Sequence, residues 1–201
     1  LLTHLAQIGK IDRTLLAHSE TAIRDLVEET GHTGYVSALD NTDVIALAGL
    51  EGRHVLRVAT AVGRRLKAAA SATGRALLSR MKDEDIRALY RKGVNTPSEK
   101  APATLEDLMT RIQLVRQKGY SEAYDETNHG VGAIATVIVD PVKNLALSLC
   151  IAFPAATIAR TERDLIIGRM LDVTARMAQQ FNDHGQAVIS HIRPKKSTSG
   201  E

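Results

Sequence analysis

The sequence predicts an α+β domain in which helices flank an antiparallel sheet of about six strands. Two β-prone runs, Thr33 to Leu39 and Val44 to Leu50, are separated by polar turn residues, which is typical of a hairpin. A second pair, Val131 to Val139 and Leu145 to Phe153, is separated by the turn at 140–144. Apolar residues at helical spacing precede, separate and follow these runs, so helices are expected to cover the sheet.

The chain before the first hairpin is predicted to be helical. Leu1 to Ile8 has the pattern of an incoming connecting helix. Ile11 to Thr30 carries an apolar face, and Gly31 is a natural left-handed residue after it. A third strand is expected at Val55 to Val62, after a turn at 51–53.

The stretch from Val62 to Met81 is predicted to pass from the end of this strand through a tight loop of small residues into a helix. A helix start offers unpaired N–H groups that can hold an anion or a polar ligand end. Small residues from Ala70 to Gly74 would allow a ligand to approach closely. The alternative is that they only let a loop cross the core tightly, and these residues alone leave both interpretations open.

The second half of the chain contains three further helical patterns. Asp83 is expected to cap a short helix, and Thr104 a longer one that Gly119 ends. Thr161 is expected to cap the last helix, which Gly185 would close. The loop between the first two, residues 93–103, contains two prolines and is predicted to lie on the surface.

The run from Leu145 to Phe153 alternates large and small residues. Because successive side chains of a strand point to opposite faces, the leucines, Ile151 and Phe153 share one face, and Ala146, Ser148, Cys150 and Ala152 share the other. The small face either lets a helix pack closely or leaves space for a ligand.

Composition excludes several classes of protein. Aromatic residues make up only 3% of the chain, which disfavours a single-stranded nucleic-acid reader that stacks bases. The net charge of +3 does not by itself indicate nucleic-acid binding. A single cysteine, no signal peptide and no apolar run of membrane-spanning length predict a cytoplasmic protein that does not contact membranes.

No catalytic or metal-binding motif stands out. Hydrolase and NTPase signatures are absent, and the neighbours of Cys150 in sequence supply no base, so we expect neither catalytic residues nor a cofactor. No two histidines have the spacing of a metal site, so no metal is predicted, although distant residues could still meet. The histidines are His4, His18, His32, His54, His129, His184 and His191.

Several motifs resemble the effector-binding domain of IclR-type transcriptional regulators, in order and spacing, across nearly the whole chain. They are Val62 to Leu66, Ser71 to Leu78, Val115 to Tyr120, Glu126 with Gly130-Val131, and Ala135 to Asp140. The resemblance implies a GAF-like domain at 11–190. It also implies that residues 1–10 end a linker helix from a missing winged helix-turn-helix domain, and that 191–201 form a mobile basic tail. The chain begins with Leu rather than Met, which we take as a sign of a fragment.

The resemblance also implies an effector pocket, carried over by position. Its residues would be Ser71, Ala72, Thr73 and Gly74 at the turn, Ala123 and Glu126 before the long strands, Val131 and Ala133 on one of them, and Cys150 and Ala152 on the other. Lys67 and Ala69 replace the family's usual Pro and His, so the turn is expected to be held differently.

Four of these positions lack polar groups that members binding small carboxylates tend to have: Ala123, Ala133, Cys150 and Ala152. We therefore expect an effector that is less polar or larger than the small organic acids. The resemblance implies a sensor, not an enzyme, in which effector binding alters a homodimer or tetramer and so the binding of operator DNA by the missing domain. The alternatives are a dimerisation module without a ligand, or an enzyme on the same scaffold that uses Cys150 or Glu126.

Overall fold

The computed structural model describes residues 13–60, 62–141 and 143–192. These residues form five helices and six strands. In chain order they are α1 (Arg13–Thr30), β1 (Thr33–Asp40), β2 (Asp43–Leu50), β3 (Arg65–Lys67), α2 (Ala72–Leu78), α3 (Asp83–Leu89), α4 (Leu105–Lys118), β4 (Ser121–Tyr124), β5 (Val131–Asp140), β6 (Leu145–Pro154) and α5 (Arg160–Ile192). The α+β class predicted from the sequence is confirmed.

The strands form one antiparallel sheet in the order β3-β2-β1-β6-β5-β4. Both predicted hairpins are present. The first closes by pairing Asp40 with Asp43, and Asn41 adopts a left-handed conformation (φ 54°) in the turn, which asparagine tolerates. The second pairs β5 with β6 from Asp140 opposite Leu145 to Val131 opposite Pro154. The central strands β1 and β6 come from opposite ends of the domain.

Helices cover both faces of the sheet. On one face, α1 and α5 pack against the large residues of β5 and β6, including Leu149, Ile151 and Phe153, to form the main core. On the other face, α2, α3 and α4 form a second core around Leu78, Ile86 and Leu108. A small third cluster lies between α2 and the sheet, built from Ala72, Ala76, Ala123, Ala135 and Cys150.

Most predicted helix ends are confirmed. The Ser71 and Thr104 side chains accept hydrogen bonds from the first turns of α2 and α4. Gly31 and Gly119 adopt the left-handed conformation after α1 and α4, with φ of 72° and 78°. Asp83 is not a cap, because it lies in the first turn of α3 and the preceding Lys82 occupies the cap position without a side-chain hydrogen bond.

The predicted third strand at 55–62 is wrong. Residues 55–60 form no strand, and β2 pairs instead with the three-residue β3. Val55 is 99% exposed and Leu56 64% exposed, so the β-branched run finds no core to bury it. Side chains of β1 hold the segment instead: Thr33 Oγ1 and Tyr35 Oη donate hydrogen bonds to the carbonyl groups of Val58 and Ala59.

The predicted ends of the last helix are also wrong. Thr161 lies inside its first turn, and α5 continues past Gly185 to Ile192. One glycine costs a helix interior only about 1 kcal/mol, so it does not have to end the helix. His191 and Ile192, assigned from the sequence to the tail, therefore belong to α5, whereas the expected helix at 1–8 and the rest of the tail lie outside the described residues. Across the described ranges, no helix is both long enough and apolar enough to cross a bilayer.

Candidate functional site

A cavity of about 70 Å³ lies between the turn that begins α2 and the small face of the sheet. One water molecule needs roughly 10–15 Å³, so the cavity is several times larger than the space that one water molecule requires. Its walls come from β1, β2, β3 and the segment before it, the α2 turn, β4 to β6 and the loop after β4. The lining residues are Tyr35, Ser37, Val44, Ala46, Val58, Arg64, Leu66, Ser71, Ala72, Thr73, Ala123, Thr127, Asn128, Val131, Ala133, Cys150 and Ala152.

Eight of the ten residues predicted as a site border this one cavity. The register explains how the strands bring their share together: Ala133 pairs with Ala123 on β4 and with Ala152 on β6, so the three small side chains point the same way. The eight residues are Ser71, Ala72, Thr73, Ala123, Val131, Ala133, Cys150 and Ala152. Gly74 and Glu126 do not line the cavity.

Gly74 supports the turn from behind. Its N–H donates to Ser71 Oγ at 2.9 Å, and a Cβ at this position would clash with the backbone of Ala68. The helix start can therefore approach the preceding loop only because residue 74 has no side chain.

Glu126 is buried and links neighbouring elements through ion pairs. Arg75 binds its carboxylate with both guanidinium nitrogens, at 2.6 and 2.9 Å, and also donates to the carbonyl groups of Ala69 and Glu122. Arg111 of α4 adds a third contact at 3.1 Å. Arg75 is 2% exposed and Glu126 6% exposed, so this network ties α2, the turn, β4 and α4 together away from solvent. Glu126 instead borders a second, wider depression of about 230 Å³ among charged side chains.

Lys67 and Ala69, the two departures from the family pattern, offer the turn no side-chain hydrogen bond, so the Arg75 and Glu126 network holds it instead. Ala69 has no polar side chain, and its carbonyl group receives the Arg75 hydrogen bond at 2.9 Å. The Lys67 side chain points to Asp43, with Nζ 2.9 Å from Oδ1. Lys67 therefore contributes to the turn through its backbone carbonyl group, which accepts a hydrogen bond from Ala70 N–H at 3.1 Å.

Most polar groups around the cavity already have partners within the protein. Tyr35 Oη donates to Ala59 O at 2.6 Å, and Ser71 Oγ accepts the Gly74 N–H. The exposed Arg64 donates to Asn128 Oδ1 at 3.0 Å and so joins two loops on the solvent side. The inner walls near β5 and β6 are mainly alanine, valine and cysteine.

Cys150 is a neutral thiol in this setting. Burial raises its pKa to about 11, and the hydrogen bond with Thr73 offsets only part of this effect. Among the described residues that line the cavity, none is His, Asp, Glu or Lys, so no general base stands near the sulfur. Burial likewise raises the pKa of Tyr35 to about 12, and this phenol remains protonated near neutral pH. The cavity therefore presents a neutral thiol and a neutral phenol near neutral pH.

Sequence reasoning missed the walls contributed by the first hairpin and by the loops. Tyr35 and Ser37 pair with Cys150 and Ser148, which places them on the small face. Their period-two spacing shows that they share a face, but the pairing of β1 with β6 joins residues more than 100 positions apart. No signal in the sequence specifies that neighbour. Arg64, Thr127 and Asn128 likewise lie in irregular segments without a periodic pattern.

Comparison with known proteins agrees with this architecture. The family model described as bacterial transcriptional regulator IclR C-terminal matches residues 11–179. The transcriptional repressor IclR of Escherichia coli (strain K12) is 28% identical over 151 residues, which are 73% of this chain and 54% of the repressor. The chain spans about half the length of the curated relatives it matches.

Solved structures show the same fold. The C-terminal domain of the E. coli transcriptional regulator KdgR superposes with a TM-score of 0.72 at 20% identity, covering 83% of this chain and 98% of that domain. The inducer-binding domain of PobR from Acinetobacter, a double mutant in complex with 3-hydroxybenzoic acid, has a TM-score of 0.70 at 21% identity and covers 79% of this chain and 94% of that one. These relatives are transcriptional regulators, not enzymes. The chain belongs to the IclR family of bacterial transcriptional regulators, and it carries the family's C-terminal domain.

Proposed function

We propose that this domain binds a small-molecule effector in the cavity beside the α2 turn. The observation that carries the proposal is the cavity itself, which eight residues predicted from the sequence border from three separate parts of the chain. A dimerisation module without a ligand would be expected to close the small face by packing, and an enzyme would need a base near Cys150. Neither fits the cavity as well as a sensor does.

The walls favour an effector with an apolar body. Ala123, Ala133 and Ala152 offer methyl groups, and the Tyr35 and Ser71 hydroxyl groups are already occupied by protein partners. A compact carboxylate would lose its hydration and find few unoccupied donors there. An aromatic or longer aliphatic body would instead replace water at apolar surface.

Arg64 is the group best placed to receive one polar end of such a molecule. Its guanidinium group lies on the solvent side of the cavity, and its hydrogen bond to Asn128 can be exchanged for one to a ligand. The PobR domain, a neighbour in fold, was solved with 3-hydroxybenzoic acid, which combines an aromatic ring with a carboxylate. A ligand with an aromatic body and one anionic end matches the apolar inner walls and the Arg64 cation at the rim. A larger effector would separate Arg64 from Asn128 as it enters.

A thermal-shift screen tests the class of effector. We expect aromatic and longer aliphatic compounds with one polar end to raise the melting temperature, because a ligand that binds only the folded state stabilises it. Stabilisation by pyruvate-sized acids, with none by the larger compounds, would overturn the proposed chemistry.

Two variants locate the binding site. Ala152→Leu should fill the cavity and abolish the shift, whereas Ala17→Leu on the exposed side of α1 should keep it. Arg64→Met should weaken compounds with an anionic end more than their neutral analogues, and Arg24→Met on α1 should affect neither. A ligand shift that survives Ala152→Leu would place binding elsewhere.

We further propose that effector binding alters a homodimer or tetramer. Operator DNA would be bound in the cytoplasm by a winged helix-turn-helix domain that precedes this region in the natural protein. Sedimentation of this chain with and without effector measures the assembly, and operator shift assays on a full-length protein measure the output. An operator shift by residues 1–201 alone would contradict the proposal that a separate domain binds the DNA.

A further inference from the structure

Three side chains far apart in the sequence meet on the opposite side of β1 from the cavity. His32 lies directly before β1, His54 in the irregular segment 51–60, and Glu162 in the first turn of α5. Each offers a ligand atom, and these atoms all lie within 4.8 Å of one another. Among the residues in 13–60, 62–141 and 143–192, these three form the group of His, Cys, Asp or Glu side chains whose ligand atoms lie close enough to share a metal ion.

The arrangement around His32 is unfinished without a further partner. Its Nε2 lies 2.8 Å from Glu162 Oε1, but its Nδ1 is buried and has no hydrogen-bond partner. The residue is only 5% exposed, so solvent does not reach this nitrogen freely. A buried polar atom without a partner costs free energy, so the contacts within the protein leave the His32 imidazole incompletely satisfied.

We propose that His32, His54 and Glu162 bind a divalent transition-metal cation, with Zn²⁺ as the best match. Two imidazoles and a carboxylate form a nitrogen-rich set that suits zinc rather than magnesium or calcium. Zinc bonds of about 2.0–2.2 Å in a tetrahedron require ligand atoms roughly 3.4 Å apart. His54 is exposed, so its side chain can rotate towards this spacing by giving up its contact with Thr30 O.

The remaining contacts keep the site in place. His54 Nε2 lies 3.3 Å from Thr30 O, and its ring centroid lies 4.6 Å from that of His32. His32 also packs against Phe153, at 5.7 Å between ring centroids. One ligand is therefore held by the core and another by a surface segment. A water molecule would complete the coordination as the fourth ligand.

Cation binding would fix the segment 51–60 to the body of the domain. His54 is the only one of the three ligands on this segment, and Val58, four residues later, lines the cavity. A bound cation would therefore steady one cavity wall from behind. The site goes beyond the proposed effector, and its test does not depend on whether any effector binds.

Calorimetric titration of the 201-residue chain with Zn²⁺ tests the proposal. We expect one cation per chain at this site and a rise in melting temperature. His54→Gln and Glu162→Gln should each weaken binding by more than about ten-fold, since each removes a ligand. His129→Gln should bind like the wild type, because this histidine is 98% exposed in a turn.

Each alternative outcome is decisive. No saturable Zn²⁺ binding would overturn the site, as would His54→Gln and Glu162→Gln variants that bind like the wild type. Loss of binding in Cys150→Ser, with retention in His54→Gln, would place the cation in the cavity instead. His54 is exposed, so the His54→Gln melting temperature without zinc should equal that of the wild type, which separates loss of a ligand from misfolding.

Discussion

Adjacent residues of β6 face two very different surroundings. Leu149, Ile151 and Phe153 are fully buried against α1 and α5, in a core of leucine, isoleucine and phenylalanine. Cys150 and Ala152 point to the opposite side, where the opposing α2 turn leaves a cavity of about 70 Å³. The same strand thus stabilises the domain with one face and leaves room for a ligand with the other.

The two faces are also held by different forces. Large side chains fill the α1 and α5 face, where burial of apolar surface dominates. The cavity face is held at its turn by directional contacts: the Ser71 cap, the close approach at Gly74 and the buried pair of Arg75 and Glu126. We call these contacts of Ser71, Gly74, Arg75 and Glu126 the polar frame. A cavity beside a stable sheet needs such a frame, because small side chains alone do not fix its shape.

The largest expected effect breaks the polar frame. Arg75→Met removes the partner of a carboxylate that is 6% exposed, which should lower the free energy of unfolding by about 3–5 kcal/mol in chemical denaturation. Arg87→Met is the matched control, since Arg87 and Glu106 form an exposed pair at 3.6 Å and should contribute less than about 0.5 kcal/mol. Equal losses of unfolding free energy in the two variants would show that the polar frame stabilises the domain no more than an exposed ion pair does.

Truncation of neighbours on β6 compares the two faces directly. Leu149→Ala should cost about 2–5 kcal/mol, because it opens a hole in a filled core. Cys150→Ala should cost less than about 1 kcal/mol, since the sulfur already borders empty space. Urea unfolding curves measure both, and a greater loss in Cys150→Ala would reverse the comparison.

Two glycine substitutions sharpen the role of the turn. Gly74→Ala should lower stability by about 1–3 kcal/mol, because its methyl group meets the Ala68 backbone. Gly168→Ala in α5 should raise stability by about 0.5–1 kcal/mol, since a Cβ there meets nothing within 4 Å and alanine favours helix. Thermal melts of the two variants should therefore move in opposite directions, and a parallel movement would contradict the close approach.

The last predicted effect is confined to alkaline pH. Burial raises the pKa of Cys150 from 9.0 to about 11, so the thiolate forms more readily in the unfolded chain. Stability is unaffected below about pH 9 and falls as the pH rises towards 11, by roughly 2 kcal/mol more in the wild type than in Cys150→Ala. Denaturation at stepped pH measures the difference, and parallel curves would mean that the thiol is not desolvated.

Local patterns predicted much of the fold. Alternation along β6, the polar hairpin turns, and the caps at Ser71 and Thr104 concern residues close in sequence, where geometry follows from the chain itself. The failures arose where local preference met no tertiary partner. Residues 55–60 have strand-forming side chains but no core to bury them, and Gly185 is too weak a breaker to end α5.

The sequence by itself determined the fold class, the family resemblance, and the turn and small strand face that border the cavity. Only the tertiary structure decided that Glu126 braces Arg75 outside the cavity, that Arg64 meets Asn128 at its rim, and that His32, His54 and Glu162 converge. Periodicity reports which face a residue shares with its near neighbours. It does not report which distant element that face will meet, and these contacts join residues tens of positions apart through the order of strands in the sheet.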